Sequence, residues 1–407
     1  MTKINACRLC KSKKIKKLFS LGVQYYTGIF SKINSKVPKG ELAVIICNNC
    51  KLVQLDKNFN MKKMYGKNYG YRTSLNNSMR KHIKSKKKYL QKIIKLNKND
   101  TIIDIGSNDG TFLNCFNSSN YRLIGVDPTI INFKKFYKNK IIKINKFFSH
   151  ENIKYYLKKK AKLISTFAMF YDLPDPLKFA RDIYNCLDDN GVWHLEQSYL
   201  IDMIKKKSYD TICHEHLEYY SMTSIYHLMK IVNFKIIDIK KNNINGGSFA
   251  ITVAKRHSEY KECEKDIKFY LKKEQVEGYN NYSIYKKFYQ KITKHKDQLR
   301  NLLIKLKKMN KKIIGYGAST KGNVILQFCN INNKLVDFIY DVNVDKKNKY
   351  TPGTKIKIID KQETNKINFD YFLVLPWHFK DFILKKEKEY ITKNIKFIFP
   401  LPNIKVV

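Results

Sequence analysis

The stretch TIIDIGSNDGTF, Thr101 to Phe112, decides the fold. Ile102, Ile103 and Ile105 give the short apolar run of a buried parallel strand, and Asp104 sits at its end. Gly106 and Gly110 let the backbone turn tightly beside a ligand before a helix is expected to start. A second apolar run, LIGVD, ends in Asp127, 21 residues past Gly106. In a strand, loop, helix, strand unit that acid falls at the tip of the neighbouring strand. A carboxylate there can accept both hydroxyl protons of a ribose, so the outline is that of a nucleoside site.

The spacing argues against a dinucleotide. A G-x-G-x-x-G fingerprint needs its middle glycine to admit a pyrophosphate, and Asn108 stands where that closeness would matter. The pattern Asp-x-Gly-x-Asn-x-Gly instead resembles motif I of class I S-adenosylmethionine-dependent methyltransferases. The resemblance implies that Asp104, Gly106, Asn108 and Gly110 form the loop under the methionine part of S-adenosylmethionine, and that Asp127 holds its ribose.

At 407 residues, 43% of them hydrophobic, the chain suggests two or three domains with ample core. No run of 18 apolar residues occurs, and the first residues, MTKINACRLC, lack the apolar region of a secretory signal. A cytoplasmic protein without a membrane span is expected. The formal charge of +46 would ordinarily point to nucleic acid or an anionic membrane surface. Its make-up argues otherwise. Of the 80 basic residues only seven are arginine (8, 72, 80, 122, 181, 256 and 300), and the other 73 are lysines spread along the chain. Readers of bases and phosphates favour the arginine fork. A codon bias toward Lys, Asn and Ile produces such a composition, and a general attraction for anionic substrates such as nucleotide sugars remains.

Cys7 and Cys10 form one C-x-x-C and Cys47 and Cys50 another, while the other five cysteines are scattered. Two such knuckles offer four thiolates in a tetrahedron, which suits structural zinc. Residues 1–65 are expected to be this zinc-binding module, folded with the energy of its metal. Tyr65, Tyr69 and Tyr71 follow as candidate lids at a domain seam, and Ser74 is a plausible cap for a helix from Leu75 to Leu96.

Residues 66–257 then read as the α/β domain. KLISTFAMFYDLPDP is its fourth strand and loop, Leu177 to Leu187 an amphipathic helix ended by Asn190 and Gly191, and GVWHLEQSYL the next strand. A closing antiparallel hairpin turns at Gly246 and Gly247. Residues 258–310 read as a helical connector. Residues 311–407 open with a second strand, glycine loop and helix, in which Gly315, Gly317, Gly322 and Lys321 fit a phosphate-cradling turn, and LVDFIYD ends in Asp341. Two doubly wound units imply two ligands in a cleft between them.

The segment YDTICHEHLEYYS, Tyr209 to Ser221, carries most of the reactive side chains. His214 and His216 at i, i+2 could share a metal, but the H-E-x-x-H spacing is missing. Histidines in a surface loop are the plainest alternative. General acid/base chemistry fits better: a histidine beside a carboxylate can be tuned near neutrality and take a proton from carbon or oxygen.

Taken in order, four cysteines, a Gly-Ser-Asn-Asp-Gly loop, His-Glu-His, Gly-Gly-Ser at 246–248, Gly-Tyr-Gly-Ala with a lysine, and Tyr-Thr-Pro-Gly-Thr at 350–354 resemble the three-domain sugar C-methyltransferases of deoxysugar biosynthesis. The resemblance spans nearly the whole chain. It implies an α/β fold with a class I methyltransferase sheet, a zinc module at the N-terminus and a C-terminal Rossmann-like domain that helps hold a nucleotide sugar. It implies methylation of C3, next to the ketone of a nucleotide-linked 4-keto-deoxysugar. His216 would be the base, Glu215 would orient or tune it, and Tyr71 would be a third group over the sugar. Two positions depart from the family: its leading tyrosine is Cys213 here, and a histidine after the fourth strand is Asp172. Both fall at the substrate. An O-methyltransferase is the alternative enzyme, since a histidine can equally take a hydroxyl proton, and a zinc-containing RNA-binding protein is the alternative that charge alone favours. The expected partner is a nucleotide-linked sugar, with neither nucleic acid nor membrane.

Overall fold

The computed structural model describes residues 1–33, 35–65, 71–138 and 140–407. Tyr69, one of the three candidate lids, lies outside the described residues. The N-terminal module is an antiparallel meander of β1 (Ile15–Tyr25), β2 (Lys39–Cys47) and β3 (Val53–Leu55). Its second knuckle begins where β2 ends.

Helix α1 spans Asn77–Ile93. Its cap is Asn76, whose side chain accepts the N–H groups of Ser78 and Met79, and not Ser74. Ser74 instead sits in a short 3-10 turn and donates its N–H to Asp109 at 2.9 Å. Ile83 and Leu90, on one stripe of α1, pack with Ile102, Leu163 and Val192 of the central sheet.

The central sheet uses β4 (Thr101–Ile105), β5 (Arg122–Val126), β6 (Ile142–Ile144), β7 (Ala161–Phe167) and β8 (Leu187–Ser198). Helix α2 (Pro176–Cys186) precedes β8. After it come the two-residue strand β9 (Glu218–Tyr219), helix α3 (Met222–Ile231), β10 (Phe234–Asn242) and β11 (Ser248–Lys255). The order across the sheet is β10-β11-β8-β7-β4-β5-β6, with only the pairings made by β11 antiparallel. Numbered in chain order, this seven-stranded sheet runs 3-2-1-4-5-7-6, a doubly wound arrangement with its switch point between β4 and β7.

All of β4 is buried, which is why its sequence is a continuous apolar run. The turn between β10 and β11 is the expected hairpin, with Gly246 and Gly247 both at positive φ. Two local expectations fail. The glycine loop leads only to a 3-10 turn, Leu113–Cys115, because the loop is tied down by side chains instead of continuing into a helix. Asn190 and Gly191 do not end α2; they lie inside β8, where Gly191 presses so closely on Ala161 that a Cβ would meet the carbonyl oxygen at 2.7 Å.

Strand β9 does not join the central sheet. It pairs antiparallel with β3, so the sheet of the zinc module runs β9-β3-β2-β1 and takes its edge from residues just past His216.

Helices α4 (Glu264–Val276) and α5 (Tyr282–Lys308) form the expected helical pair. The buried stripe of α5, Tyr285, Phe288, Ile292, Leu299 and Leu303, has helical spacing, and Phe288 and Tyr289 meet Phe19 of β1 at ring distances of 5.7 and 5.3 Å. The connector therefore also braces the N-terminal module.

The C-terminal unit contains β12 (Ile313–Tyr316), α6 (Thr320–Phe328), β13 (Phe338–Tyr340), β14 (Lys357–Ile359), β15 (Tyr371–Val374), β16 (Lys396–Phe399) and β17 (Lys405–Val406). Its order, β14-β13-β12-β15-β16-β17, is Rossmann-like, parallel except for the last strand. Among the described residues no helix is long and apolar enough to cross a membrane.

Candidate active site

The two knuckles are built alike. Lys11 and Lys51 each take positive φ after the second cysteine, and each donates its N–H to the carbonyl of the first, Cys7 or Cys47, at 3.0 Å. The sulfur atoms of Cys7 and Cys50 are 3.5 Å apart, as are those of Cys10 and Cys47, and all four lie within 4.8 Å of one another. A tetrahedron with metal bonds of about 2.3 Å needs edges of this size, so the quartet fits zinc. Among the described residues it is the one cluster of three or more candidate metal ligands. The His-x-His metal reading is therefore not supported.

At the C-terminal end of β4, Gly106 and Gly110 take φ of +72° and +74° and fold the loop back beneath Asp127. Asp127 is buried at the tip of β5 and accepts the Asn108 N–H at 2.9 Å, the Thr129 N–H at 2.6 Å and the Thr129 hydroxyl at 2.5 Å. Asp104 takes a hydrogen bond from Ser165 at 2.7 Å. Burial, with Asp127 and Asp109 nearby, pushes its carboxyl up to about 7. Tyr137 closes the loop, sharing hydrogen bonds with Ser107 at 2.7 Å and the Asn108 carbonyl at 2.9 Å.

The chain between Tyr71 and Ser74 lies across this loop. Asn108 donates to the Tyr71 carbonyl at 3.1 Å and accepts the Thr73 N–H at 3.0 Å. A group of buried carboxyls, with no lysine or arginine bonded to Asp104 or Asp127 among the described residues, fits a ligand bearing hydroxyls and positive charge. S-adenosylmethionine has both. The residues expected to hold the cofactor are thus brought together at the switch point of the sheet.

His216 is partly buried and lines a small cavity with Tyr171, Ser198, Tyr199, Met203 and Thr211. Its Nδ1–H donates to the Thr211 carbonyl at 2.8 Å, which leaves Nε2 with a free lone pair. Tyr171 packs edge-on against the ring at 4.4 Å. Burial and the Lys321 ammonium push the imidazole down to about 3, so it stays neutral and does not titrate near pH 7 as its sequence context suggests.

Glu215 does not orient it through a recorded bond. The Glu215 carboxylate accepts from the Thr27 hydroxyl at 3.3 Å and from the Gly28 N–H of the N-terminal module, and burial raises its affinity for a proton. A backbone carbonyl, that of Thr211, has the orienting role. Cys213 is fully buried beside Glu215, and its thiol is pushed well up. Tyr71 is 49% exposed and borders the glycine loop. His214 is a core residue: it donates to the Gly40 carbonyl at 3.3 Å between the rings of Tyr26 and Phe59.

Several partnerships in the site escaped the reading of the sequence. Tyr65 donates to Asp172 at 2.6 Å. Asp172 is buried and pushed well above the ordinary carboxyl range by burial, and its Oδ1 has no partner among the described residues. From the C-terminal unit, Lys321 donates to the Asn245 carbonyl at 3.0 Å and Trp377 to Asp210 at 2.8 Å. No local spacing marks these residues, since their partners lie 76 and 167 positions away. The one signal was Lys321 itself, which the sequence pattern assigns to a phosphate and the structure turns toward the central domain.

Three family profiles match consecutive parts of the chain: a zinc binding domain over residues 7–65, a methyltransferase domain over 76–239 and a C-methyltransferase C-terminal domain over 243–402. The C-methyltransferase NovU of Streptomyces niveus is 26% identical over 368 residues, covering 90% of this chain and 87% of that protein. Solved structures that resemble part of the chain include the plantazolicin methyltransferase BamL, bound to a triazolic analogue and S-adenosylhomocysteine. It has 15% identity, covers 44% of this chain and 86% of that one, and has a TM-score of 0.35. The glycopeptide N-methyltransferase MtfA has 7% identity, 42% and 93% coverage, and a TM-score of 0.33.

Proposed function

Because this chain belongs to the three-part family of S-adenosylmethionine-dependent C-methyltransferases, with zinc-binding, methyltransferase and C-terminal parts matched in order, we propose that it methylates C3 of a nucleotide-linked 4-keto-deoxysugar. The observation that supports this reading is the placement of His216: its ring is fixed through Nδ1, and its Nε2 lone pair is left free beside a small cavity lined by Tyr171, Ser198, Tyr199 and Met203 of the central domain. S-adenosylmethionine, when bound, supplies an electrophilic methyl group.

The chain's own residues do the rest. Nε2 of His216 takes the proton from the carbon next to the ketone, and the resulting enolate carbon is the nucleophile. Asp127 would accept from the ribose hydroxyls of S-adenosylmethionine, and Asp104 would lie on the side of its positive charge. Asp172, whose carboxyl is pushed well up by burial and whose Oδ1 has no partner among the described residues, would hydrogen-bond a sugar oxygen. The C-terminal unit brings the cation Lys321 toward the anionic side of the substrate. Nine cysteines without a disulfide suit a cytoplasmic enzyme.

The test is hydrogen exchange at carbon. With S-adenosylhomocysteine present to block transfer, a 4-keto sugar nucleotide should take up deuterium at C3 from deuterated water. His216→Ala should slow this by about a hundredfold or more, the scale of a positioned general base. Undiminished exchange in the variant would move the role to another group, and no exchange with any keto sugar would favour methylation at oxygen.

A further inference from the structure

We propose that Arg8 is a positioning residue for methyl transfer: lying inside the first metal knuckle, it fastens the zinc module to the strand just past His216 and so holds the base in place. The proposal rests on reading His216 as that base. The central domain holds this segment at two recorded points, the Thr211 carbonyl on His216 and the Tyr171 carbonyl on the Leu217 N–H at 2.7 Å. The Tyr171 ring and the cavity residues Ser198, Tyr199 and Met203 also come from the central domain, and the polar partners of residues 214, 215 and 217–219 come largely from the N-terminal module. His214 is enclosed by Tyr26, Phe59 and Gly40, and Glu215 sits on Thr27 and Gly28. Leu55 donates to the Leu217 carbonyl at 2.8 Å, and Glu218 and Tyr219 pair with Gln54 and Val53. Tyr219 then returns a hydrogen bond to the His216 carbonyl at 3.0 Å.

Arg8 stands between Cys7 and Cys10 and is only 2% exposed. Its guanidinium directs its donors to β3 and the residues just beyond that strand: the Leu55 carbonyl at 2.5 Å, the Gln54 side chain at 3.2 Å, the Lys57 carbonyl at 2.8 Å and the Asn58 side chain at 2.8 Å. Gln54 in turn donates to the Cys7 sulfur at 3.3 Å and pairs with Glu218 across the ladder. Nε of Arg8 also lies 3.6 Å from the carboxylate of Glu218. Both Glu218 oxygens are buried with no hydrogen-bond donor among the described residues; burial pushes the carboxyl well up, and the Arg8 guanidinium is the nearer of the two cations, with Lys11, that oppose this. One side chain therefore links a metal ligand, the strand next to it, and the residue two positions beyond the base.

The chain of contacts predicts a separation of effects that ordinary loss of stability would not give. In the zinc-loaded full-length protein, Arg8→Met should keep one zinc per chain and its affinity for S-adenosylhomocysteine. Amide protection of residues 214–219 should fall at least about tenfold, because those hydrogen bonds open locally and not globally. For methyl transfer, kcat should fall about tenfold or more with KM little changed, as misplacement of a reacting group predicts, and Arg8→Lys should restore part of it. Unchanged protection of 214–219 in Arg8→Met overturns the proposal, as does a kcat loss that appears only together with loss of zinc. If Arg8→Met does not fold, Glu218→Gln, which keeps shape and removes the acid that faces Arg8, decides by the same two measurements. The protection measurement needs no sugar, so lowered protection without turnover on any keto sugar would leave the positioning role standing and refute the proposed function instead.

Discussion

The central and C-terminal units use one piece of geometry twice. In each, a strand ends in a glycine at positive φ, Gly106 or Gly317, and an aspartate at the tip of the adjacent strand accepts an N–H from the loop: Asn108 to Asp127 at 2.9 Å, Ala318 to Asp341 at 2.7 Å. Each aspartate also accepts the N–H of the residue two positions on, Thr129 at 2.6 Å and Asn343 at 2.7 Å. The difference lies in what else reaches the acid. Lys346 lies 3.5 Å from Asp341 and donates to the Ala318 carbonyl at 2.6 Å, whereas Asp127 has no cation bonded to it among the described residues. Gly317 lies so near Pro376 that a Cβ would meet it at 2.8 Å, and the first turn of α6 and the turn after β15 carry Lys321 and Trp377 onto the central domain. Both acids accept hydrogen bonds from their own loops, but only Asp341 also has a cation beside it, and its unit turns Lys321 and Trp377 into an interface.

The comparison breaks most directly at the two acids. Asp127→Ala should weaken S-adenosylhomocysteine binding by about 1 to 3 kcal/mol, the cost of leaving buried hydroxyls unpaired. Asp341→Ala should leave that affinity within about twofold, since this acid lies in the other unit and is matched by the Lys346 ammonium beside it. Calorimetric titration of both variants checks this. Equal losses would mean that the C-terminal unit also carries a cofactor.

A smaller effect is expected from Asp104, which has a raised carboxyl at about 7. In the free enzyme it holds a proton below that pH, and a cationic ligand prefers the carboxylate, so binding releases the proton. Affinity for S-adenosylmethionine, which carries the sulfonium charge, should therefore rise with pH up to about 7, by at most about tenfold per unit, and level off above it. Folding stability carries the opposite sign: because the folded form binds this proton more tightly than the unfolded chain, that contribution is present at acid pH and is lost as pH rises through about 7. A flat binding profile from pH 6 to 8 would remove Asp104 from the cofactor's surroundings.

The same contrast explains what could be read in the sequence. The apolar run of β4, the glycines of the loop and Asp127 are a local pattern, and so are the paired knuckles; backbone conformation and metal chemistry fix both within a few residues. The sheet order then follows from alternating strands and helices. What local pattern does not encode is which neighbour satisfies a polar group. Glu215 is adjacent to His216 in sequence, yet its carboxylate faces Thr27 and Gly28, 188 positions away in the case of Thr27, while a carbonyl five residues back orients the imidazole. The glycines around Lys321 have the look of a phosphate loop, and only packing against Asn245 shows that the lysine leaves it. Strand β9 was equally hidden, because two residues with no periodicity become a strand only when β3 offers an edge.

The smallest expected effect tests whether the C-terminal unit acts on the central one through charge. Lys321 is the cation that, after burial, holds the His216 imidazole low. Replacing it by Met removes that repulsion, so the imidazole binds a proton more readily and its protonation midpoint moves up toward the ordinary histidine range. The active base is the neutral form, and burial alone keeps it neutral at pH 7.5, so the exchange rate at C3 of saturating substrate should change there by less than about threefold. The difference should open only as the pH falls, with Lys321→Met losing exchange at a higher pH than the parent enzyme. A large loss at pH 7.5 that saturating substrate does not repair would show that Lys321 touches the reacting atoms. A pH profile identical in shape to the parent's would show that its charge does not reach His216, and the interface would then be a matter of packing alone.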